Sequence, residues 1–280
     1  MIRDTSVLSK LWITVVWLVT GFFVLNVLAV ITAVVVSSFG TRWLGTWFPD
    51  GFTTRWYAAA WAEFHLDQVL LVTFQVVFAV VILSGFLGVT AAYAMARRDF
   101  PGKKFVLLIF LLPLLVPPIT FGIPLATVLY KFGVGGTFWG VVLANLVPTV
   151  PFVILVMVPF IEQIDPKVEA AARVFGAGTF KLFLHVLLPM LTPGILAAML
   201  LVLVRTVAMF ELTFLTAGPT SQTLVVALYY SVFAAGVRSV QSIDAMAVIY
   251  MVTSLVWLLL ALRFVNPTQI VARNRQPSAH

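Results

Sequence analysis

Long apolar runs separated by short polar connections dominate this sequence. A membrane-spanning helix needs about 20 mostly apolar residues to cross about 30 Å of hydrocarbon. Six runs are long enough, at about residues 11–38, 69–96, 105–130, 138–161, 195–217 and 245–265. The pattern therefore predicts an all-α integral membrane protein with about six transmembrane helices. The first run is longer than the core of a cleaved signal peptide, so we expect it to be a retained helix.

The composition agrees with a lipid environment. Hydrophobic residues make up 62% of the chain and charged residues only 10%, whereas a soluble domain carries about 25% charged residues. The absence of cysteine excludes disulfides, iron–sulfur clusters and thiol nucleophiles. The three histidines are scattered, so we expect no histidine-rich metal site. We expect no catalytic residue either.

The distribution of lysine and arginine predicts the orientation, because these residues accumulate on the cytoplasmic side. With six crossings, twelve of them fall on the side of the termini: Arg3, Lys10, Arg97, Arg98, Lys103, Lys104, Lys167, Arg173, Lys181, Arg263, Arg273 and Arg275. Only four fall on the other side: Arg42, Arg55, Lys131 and Arg238. We therefore predict that both termini are cytoplasmic. The net charge of +7 then reflects orientation and not nucleic-acid binding.

Two segments on the predicted outer side lack a spanning run. Residues 40–66 are rich in Trp and Tyr, which prefer the headgroup level. This segment is interpreted as an interfacial helix, with a docking surface for an outer partner as the alternative. Residues 219–244 contain Gly236 and an apolar piece, Thr223–Ala235, that is too short to span. They are interpreted as a re-entrant or outer-lying segment.

The longest predicted inner connection is the 162–194 loop. Pro166 is suited to the first turn of a helix, and Asp165 is suited to cap it. Helix-forming residues follow as far as Phe175, and Gly176-Ala177-Gly178 ends the helix. A second short helix is predicted from Thr179 to Leu188, closed by prolines before the fifth membrane helix begins. A compact ordered loop of this kind indicates a surface on which another protein docks.

The loop resembles the signature loop of binding-protein-dependent ABC importer permeases. The family pattern is Glu-Ala-Ala, three residues, Gly, nine residues, then Ile-x-Leu-Pro. With Gly176 as the glycine, the alanines are Ala171 and Ala172, and the end of the pattern is matched by Val186, Leu188 and Pro189. The family glutamate position is Ala170, and Glu169 lies one residue earlier. Residues 93–104 and 139–173 are more similar to the polyamine-type branch.

The resemblance implies a single permease domain over 1–280, with a core of about 66–265, in a bacterial plasma membrane. It implies an ATPase dimer as a separate subunit that binds ATP and magnesium, because this sequence lacks a phosphate-binding loop. It also implies a second permease subunit, preferably a different chain, and an extracytoplasmic binding protein that delivers a small solute. We expect these residues to couple the permease to the ATPase: Glu169, Ala171, Arg173, Phe175, Gly176 and Phe180.

Two charged residues fall within the fifth apolar run. Arg205 and Glu211 are six residues apart, so on one helix they would point about 240° away from each other. Charged groups inside a membrane tend to be functional, and each is a candidate for substrate contact or for an ion pair with another helix. Asn145 in the fourth run is a weaker candidate for the substrate path.

The substrate class stays open at this stage. A polyamine-type or related solute is favoured, with a sugar next. A self-contained secondary transporter or a channel is the alternative to an importer subunit, although no internal repeat or selectivity filter is evident in the sequence.

Overall fold

The computed structural model describes residues 7–43, 46–233 and 239–264, and most of these residues are helical. Arg3, Gly236, Arg238, Arg273 and Arg275, on which parts of the sequence analysis rest, lie outside these ranges. The helices in the described ranges are α1 (Val7–Phe39), α2 (Arg55–Glu63), α3 (Leu66–Arg97), α4 (Lys103–Leu115), α5 (Pro118–Lys131), α6 (Phe138–Glu162), α7 (Pro166–Val174), α8 (Thr179–Leu182), α9 (Leu188–Val207), α10 (Glu211–Thr216), α11 (Leu224–Phe233) and α12 (Val240–Phe264).

The predicted membrane architecture is confirmed. In the described ranges, five helical segments are long and apolar enough to span a membrane: Ser9–Phe39, Leu66–Arg97, Phe138–Glu162, Thr179–Val207 and Val240–Leu260. The α4–α5 pair makes a sixth span if its two halves count as one. The placement of the termini and the single-domain boundaries stay predictions.

The third predicted span differs from a single helix. It is bent by 102° between α4 and α5, and each half is only about 20 Å long at 1.5 Å per residue. Val116 and Pro117 both have extended backbone, with ψ angles of 136° and 134°. A residue that precedes a proline is driven out of the helical region. The Pro117-Pro118 pair therefore interrupts the apolar run at its middle.

The fifth predicted span also differs from the prediction. The second helix of the loop does not stop at Pro189 but continues through a π-helical segment, Phe183–Leu187, into α9. A proline cannot donate to the carbonyl of the preceding turn and collides with it, and a π-bulge is one way for a helix to pass such a position. The span then ends at Val207, ten residues before the predicted boundary at 217.

Residues 66–230 and 252–264 form one compact unit, in which α3, α6 and α9 surround the main core cluster. Small residues let these helices approach closely, as is common in membranes. A Cβ added to Gly88 of α3 would lie 2.5 Å from the Cβ of Val153 in α6. A Cβ added to Gly85 would lie 2.6 Å from the sulfur of Met199 in α9.

Residues 7–65 and 231–251, apart from the undescribed positions among them, form a second compact unit. Its polar contacts gather at the end of α1, where the Ser37 hydroxyl donates to Asp244 at 2.5 Å and the Ser38 hydroxyl lies 2.8 Å from the Tyr57 hydroxyl. Along the rest of its length, α1 exposes apolar side chains, as a helix surrounded by lipid would. The predicted helix within 40–66 is present as α2.

Substituting Gly88 tests the close approach of α3 and α6. We expect Gly88→Ala to lower stability by about 1–3 kcal/mol, because an overpacked methyl group must displace the stiff Val153 side chain. The matched control is Gly21→Ala in α1, where the added Cβ meets no atom within 4 Å. That control should be neutral or stabilising by up to about 1 kcal/mol. Thermal unfolding of both variants in detergent measures the difference, and equal effects would contradict the packing argument.

Candidate functional site

The start of the 162–194 loop is built as its sequence predicts. Pro166 occupies the first turn of α7, and the Asp165 carboxylate accepts a hydrogen bond from the Lys167 backbone N–H at 2.9 Å. This cap satisfies a backbone donor that the first turn of a helix leaves unpaired. The helix direction is therefore fixed within three residues of the end of α6.

Gly176 ends α7 in a Schellman motif. The Ala177 N–H donates to the Ala172 carbonyl at 3.0 Å, and the Gly176 N–H donates to the Arg173 carbonyl at 2.9 Å. The motif requires a left-handed backbone after the helix, and Gly176 has a φ angle of +82°. Ala172 and Ala177 both pack on the main core cluster. The predicted glycine turn is confirmed. Glycine suits this position because the turn requires a positive φ angle.

A largely buried ion pair joins this loop to the end of α3. The Arg97 Nε donates to Glu169 Oε1 at 2.6 Å, and the two side chains are only 14% and 10% exposed. The Tyr93 hydroxyl donates to Glu169 Oε2 at 2.7 Å. The Arg97 Nη2 donates to the Ile164 carbonyl at 2.7 Å. These four residues are named the Glu169 cluster below.

The Glu169 cluster fixes the loop against a membrane-spanning helix. Both carboxylate oxygens of Glu169 have a donor, and Arg97 contacts both α7 and the connection that precedes it. Charge-assisted hydrogen bonds of this kind are about twice as strong as neutral ones. Removing one partner of a buried pair leaves the other charge without compensation. The loop is therefore held in one position relative to α3.

The placement of Glu169 corrects its interpretation as a charged docking contact. Residue 169 is only 8% exposed and faces the inside of the chain. Ala170, at the position of the family glutamate, is exposed, as are Ala171 and Arg173. One residue along an α-helix is a rotation of about 100°. The shift by one residue therefore moves the carboxylate from the outer face of α7 to its inner face.

The other predicted coupling residues lie on the outside. The Phe175 side chain follows α7 and is 90% exposed, and Phe180 in α8 is 75% exposed. Val174, which the sequence analysis did not single out, is 85% exposed. A loop that exposes three large apolar side chains offers the type of surface that another protein covers.

The contribution of α3 to this site was not predicted from the sequence. Arg97 was interpreted only as part of a positive cluster that sets orientation, and Tyr93 was not considered as a partner. A usable signal was present, because the two residues are four apart at the end of an apolar helix and so lie on one face. Nothing in the sequence alone indicated which acidic residue they would meet.

The three candidates for the substrate path do not form one group. Arg205 is on α9, and its guanidinium lies 5.5 Å from the centre of the Phe152 ring. Glu211 begins α10, after a non-helical break at 208–210. Asn145 is fully buried in α6 and donates to the Thr213 hydroxyl of α10 at 3.2 Å. The predicted angle between Arg205 and Glu211 on one helix was wrong, because the helix ends between them.

Neither charged residue has an ion-pair partner among the described residues of this chain. The same ranges contain no group of three or more His, Asp or Glu side chains that could hold a metal ion. The candidate functional sites within these ranges are therefore the 162–194 loop and the surroundings of Glu211.

Sequence comparison identifies relatives of the chain. Residues 84–270 match the family described as "binding-protein-dependent transport system inner membrane component". The chain is 32% identical over 149 residues to the diacetylchitobiose uptake system permease protein NgcG of Streptomyces coelicolor, a match covering 53% of this chain and 49% of that protein. It is 26% identical over 244 residues to the spermidine/putrescine transport system permease protein PotC of Escherichia coli K12, covering 85% and 84%. The chain thus spans about half the length of the first relative and most of the second.

Solved structures share the fold. One is a chain of a bacterial ABC transporter involved in the import of the acidic polysaccharide alginate, with a TM-score of 0.74 at 15% identity. The match covers 93% of this chain and 99% of that chain. A chain of the inward-facing MetNI methionine ABC transporter has a TM-score of 0.51 at 17% identity, with 71% and 95% coverage.

The Glu169 cluster makes a prediction for stability. Glu169→Gln or Arg97→Met should each lower the free energy of unfolding by about 3 kcal/mol, because each leaves a mostly buried charge unpaired. The double variant should lose less than the sum of the two single variants. Thermal or denaturant unfolding in detergent measures all three.

The matched control is the second ion pair of the same region. Lys103 and Asp99 are 3.2 Å apart, but the Asp99 side chain is fully exposed. Asp99→Asn should therefore change stability by less than about 0.5 kcal/mol. A control as destabilising as Glu169→Gln, or strictly additive effects in the double variant, would contradict the role of the buried pair.

Proposed function

This chain belongs to the family of binding-protein-dependent transport system inner membrane components, and from this premise we propose that it is the permease subunit of an ATP-driven ABC importer. The observation that carries the proposal is the 162–194 loop. It combines exposed Phe175 and Phe180 side chains with a buried ion pair that joins the same loop to α3. A loop that is held on one side and apolar on the other is suited to receive force from a partner protein.

The partner proposed for this surface is a separate ATPase subunit, which binds ATP and magnesium and carries out the hydrolysis. Aromatic side chains often supply much of the binding energy at protein interfaces. Arg173 and Lys181 are exposed and offer charged contacts around them. The fold shared with chains of an alginate ABC transporter and of the MetNI methionine ABC transporter supports this division of labour. The chain itself is then a permease subunit that forms part of the transport path and does not hydrolyse ATP.

Force on the loop has two routes into the membrane helices. The first runs through Glu169 and Arg97 to α3. The second is covalent, because α8, the π-helical segment and α9 form one continuous helical run, Thr179–Val207. We infer that closure of the ATPase dimer moves the loop as a unit and that α3 and α9 follow, so that the path changes from inward-open to outward-open.

Two further partners complete the proposal. A second permease subunit, a different chain rather than a copy, would form the other half of the path. An extracytoplasmic binding protein would deliver the solute. A related structure, with a TM-score of 0.65, supports this partner: it is a bacterial alginate ABC transporter in complex with an alginate pentasaccharide-bound periplasmic protein. In this proposal the chain lies in a bacterial plasma membrane, with the loop and both termini on the cytoplasmic side.

The proposed substrate is a small solute of the polyamine type, with a sugar as the next choice. The PotC match extends over 85% of this chain, whereas the NgcG match extends over 53% at higher identity. The longer match favours the polyamine type. The alternative of a self-contained secondary transporter or channel has no support in the comparisons.

Co-purification tests the proposed function. The tagged chain is isolated from membranes of its own host in mild detergent, and its partners are identified by mass spectrometry. We expect an ATPase subunit together with a second permease. Recovery of the chain alone, in a stable and folded form, would contradict the importer proposal.

Substituting the exposed phenylalanines tests where the ATPase docks. Phe175→Ala and Phe180→Ala should each weaken recovery of the ATPase, by about 30-fold in affinity if each loses about 2 kcal/mol. The matched control is Phe132→Ala, because Phe132 is 74% exposed and lies at the end of α5, away from the loop. ATPase recovery that is unchanged in the loop variants, or equally reduced in the control, would contradict docking at this surface.

The glycine turn supplies a separate test of coupling. Gly176→Leu places a side chain at a φ angle of +82°, which strains the backbone by about 1–2 kcal/mol. We expect it to reduce transport per ATP hydrolysed while leaving membrane insertion intact. Gly178→Leu is the control, because its φ angle of −68° suits any residue and its surroundings are open. Transport measured in proteoliposomes beside ATP hydrolysis separates the two variants.

A further inference from the structure

We propose that Glu211 and four aromatic residues of the same region form a binding site for an organic ammonium group on the transport path. This proposal rests on the proposed permease function and makes it more specific. The ring residues are Phe210, Phe214, Tyr229 and Tyr230, and together with Glu211 they are named the aromatic–carboxylate cluster.

The four rings form one continuous group between α10 and α11. The Phe210 and Tyr229 ring centres are 5.0 Å apart, and those of Phe214 and Tyr229 are 5.1 Å apart. Tyr230 joins the group at 5.6 Å from Phe214. Tyr230 is exposed and the other three rings are half-buried. Such rings present negative π faces that a solute can reach, and these faces attract ammonium groups.

Glu211 lies within this group along the chain. It directly follows Phe210, and Phe214 is three residues later on the same short helix, so the two side chains are neighbours on one face. Glu211 is half-buried and has no ion-pair partner in the described ranges. The nearest basic residue along the chain, Arg205, lies over the Phe152 ring instead. A carboxylate without an ion-pair partner in these ranges attracts cations by its charge, and the rings on the same and the neighbouring helix attract them by their quadrupole.

The backbone at this point is unsuited to a lipid-facing surface and is compatible with a lined path. The helical span stops at Val207 and restarts at Glu211. Non-helical backbone at membrane depth is tolerated where it is buried in protein or lines a water-filled cavity, and transporters commonly place their binding sites at interrupted helices. Thr213 bonds to Asn145, seven residues into the 25-residue α6, which places α10 within the apolar layer.

A polar wall lies on the opposite side of α10. Asn145 donates to the Val141 carbonyl and to Thr213, while its Oδ1 is buried without a hydrogen-bond partner in the described ranges. The cluster itself therefore combines a negative charge with aromatic faces. These groups all favour a cation that can donate hydrogen bonds, such as a primary or secondary amine. They offer no positive group to an acidic solute.

Spermidine binding to the assembled transporter tests the site. The complex that co-purifies with the tagged chain is placed in lipid nanodiscs, and binding of labelled spermidine is compared with that of a labelled neutral disaccharide. We expect saturable binding of spermidine and none of the disaccharide. Glu211→Gln should weaken spermidine binding by about tenfold, and Phe214→Leu by about threefold through lost cation–π attraction. Glu211→Asp should retain most of the affinity.

The control is Asp67→Asn, which removes an exposed carboxylate from the first turn of α3. It should leave binding unchanged, so equal losses in Asp67→Asn and Glu211→Gln would identify nonspecific attraction and overturn the proposal. Unchanged binding in both Glu211→Gln and Phe214→Leu would also overturn it. So would separation of Glu211→Gln from the second permease subunit, because Glu211 would then belong to an inter-subunit ion pair.

Two further measurements keep the results distinct. Thermal unfolding of each variant in the nanodiscs confirms that binding is compared between folded complexes, and Phe214→Leu provides the test if Glu211→Gln does not fold. Recovery of the ATPase with a failed spermidine result would overturn the ammonium site alone. Failure to recover the ATPase would instead contradict the importer proposal on which the site rests.

Discussion

The buried pair between Arg97 and Glu169 is the contact on which the proposed mechanism depends. A loop without contacts to the membrane helices would move with a partner protein and leave those helices unmoved. The pair removes this freedom, because Glu169 lies in α7 and Arg97 ends a 32-residue helix. The additional bond from Arg97 to the Ile164 carbonyl also fixes the connection from α6. One guanidinium thus holds three segments together, and the exposed phenylalanines gain a rigid support.

Much of the fold was predictable from the sequence, because lipid leaves a chain few options. Backbone groups in hydrocarbon must be paired within the chain, so long apolar runs become helices. The deviations occur where local chemistry conflicts with that rule. Pro117-Pro118 bends the third run by 102°. The fifth span continues past Pro189 because a π-helical segment precedes it, which the pattern of apolar residues does not predict. The break at 208–210 contains no proline or glycine, so it could not be predicted from the hydrophobic pattern of the sequence.

The candidate site was predictable in position but not in orientation. Asp165, Pro166 and Gly176 define the ends of α7 through local rules of capping and backbone geometry, and the structure has each in its expected role. Glu169 could not be placed in the same way, since its direction depends on a partner 72 residues earlier in the chain. A glutamate at position 170 would lie on the outer face of α7, whereas one at position 169 lies on the inner face. Only the contact with Tyr93 and Arg97 decides between them.

The continuous helix from Thr179 to Val207 relates the two sites to each other. At 1.5 Å per residue, its 29 residues extend over about 43 Å, enough to cross the hydrocarbon core with some tilt. One end carries Phe180, in the loop proposed to contact the ATPase. The other end, Val207, is separated by the three residues 208–210 from Glu211, which belongs to the cluster proposed to bind an ammonium group. A push on the loop therefore reaches the break at 208–210 without an intervening joint other than the π-helical segment. In the proposed mechanism, such a displacement changes the backbone at this break, next to the proposed ammonium site, and one helix suffices to link the ATPase surface to that site.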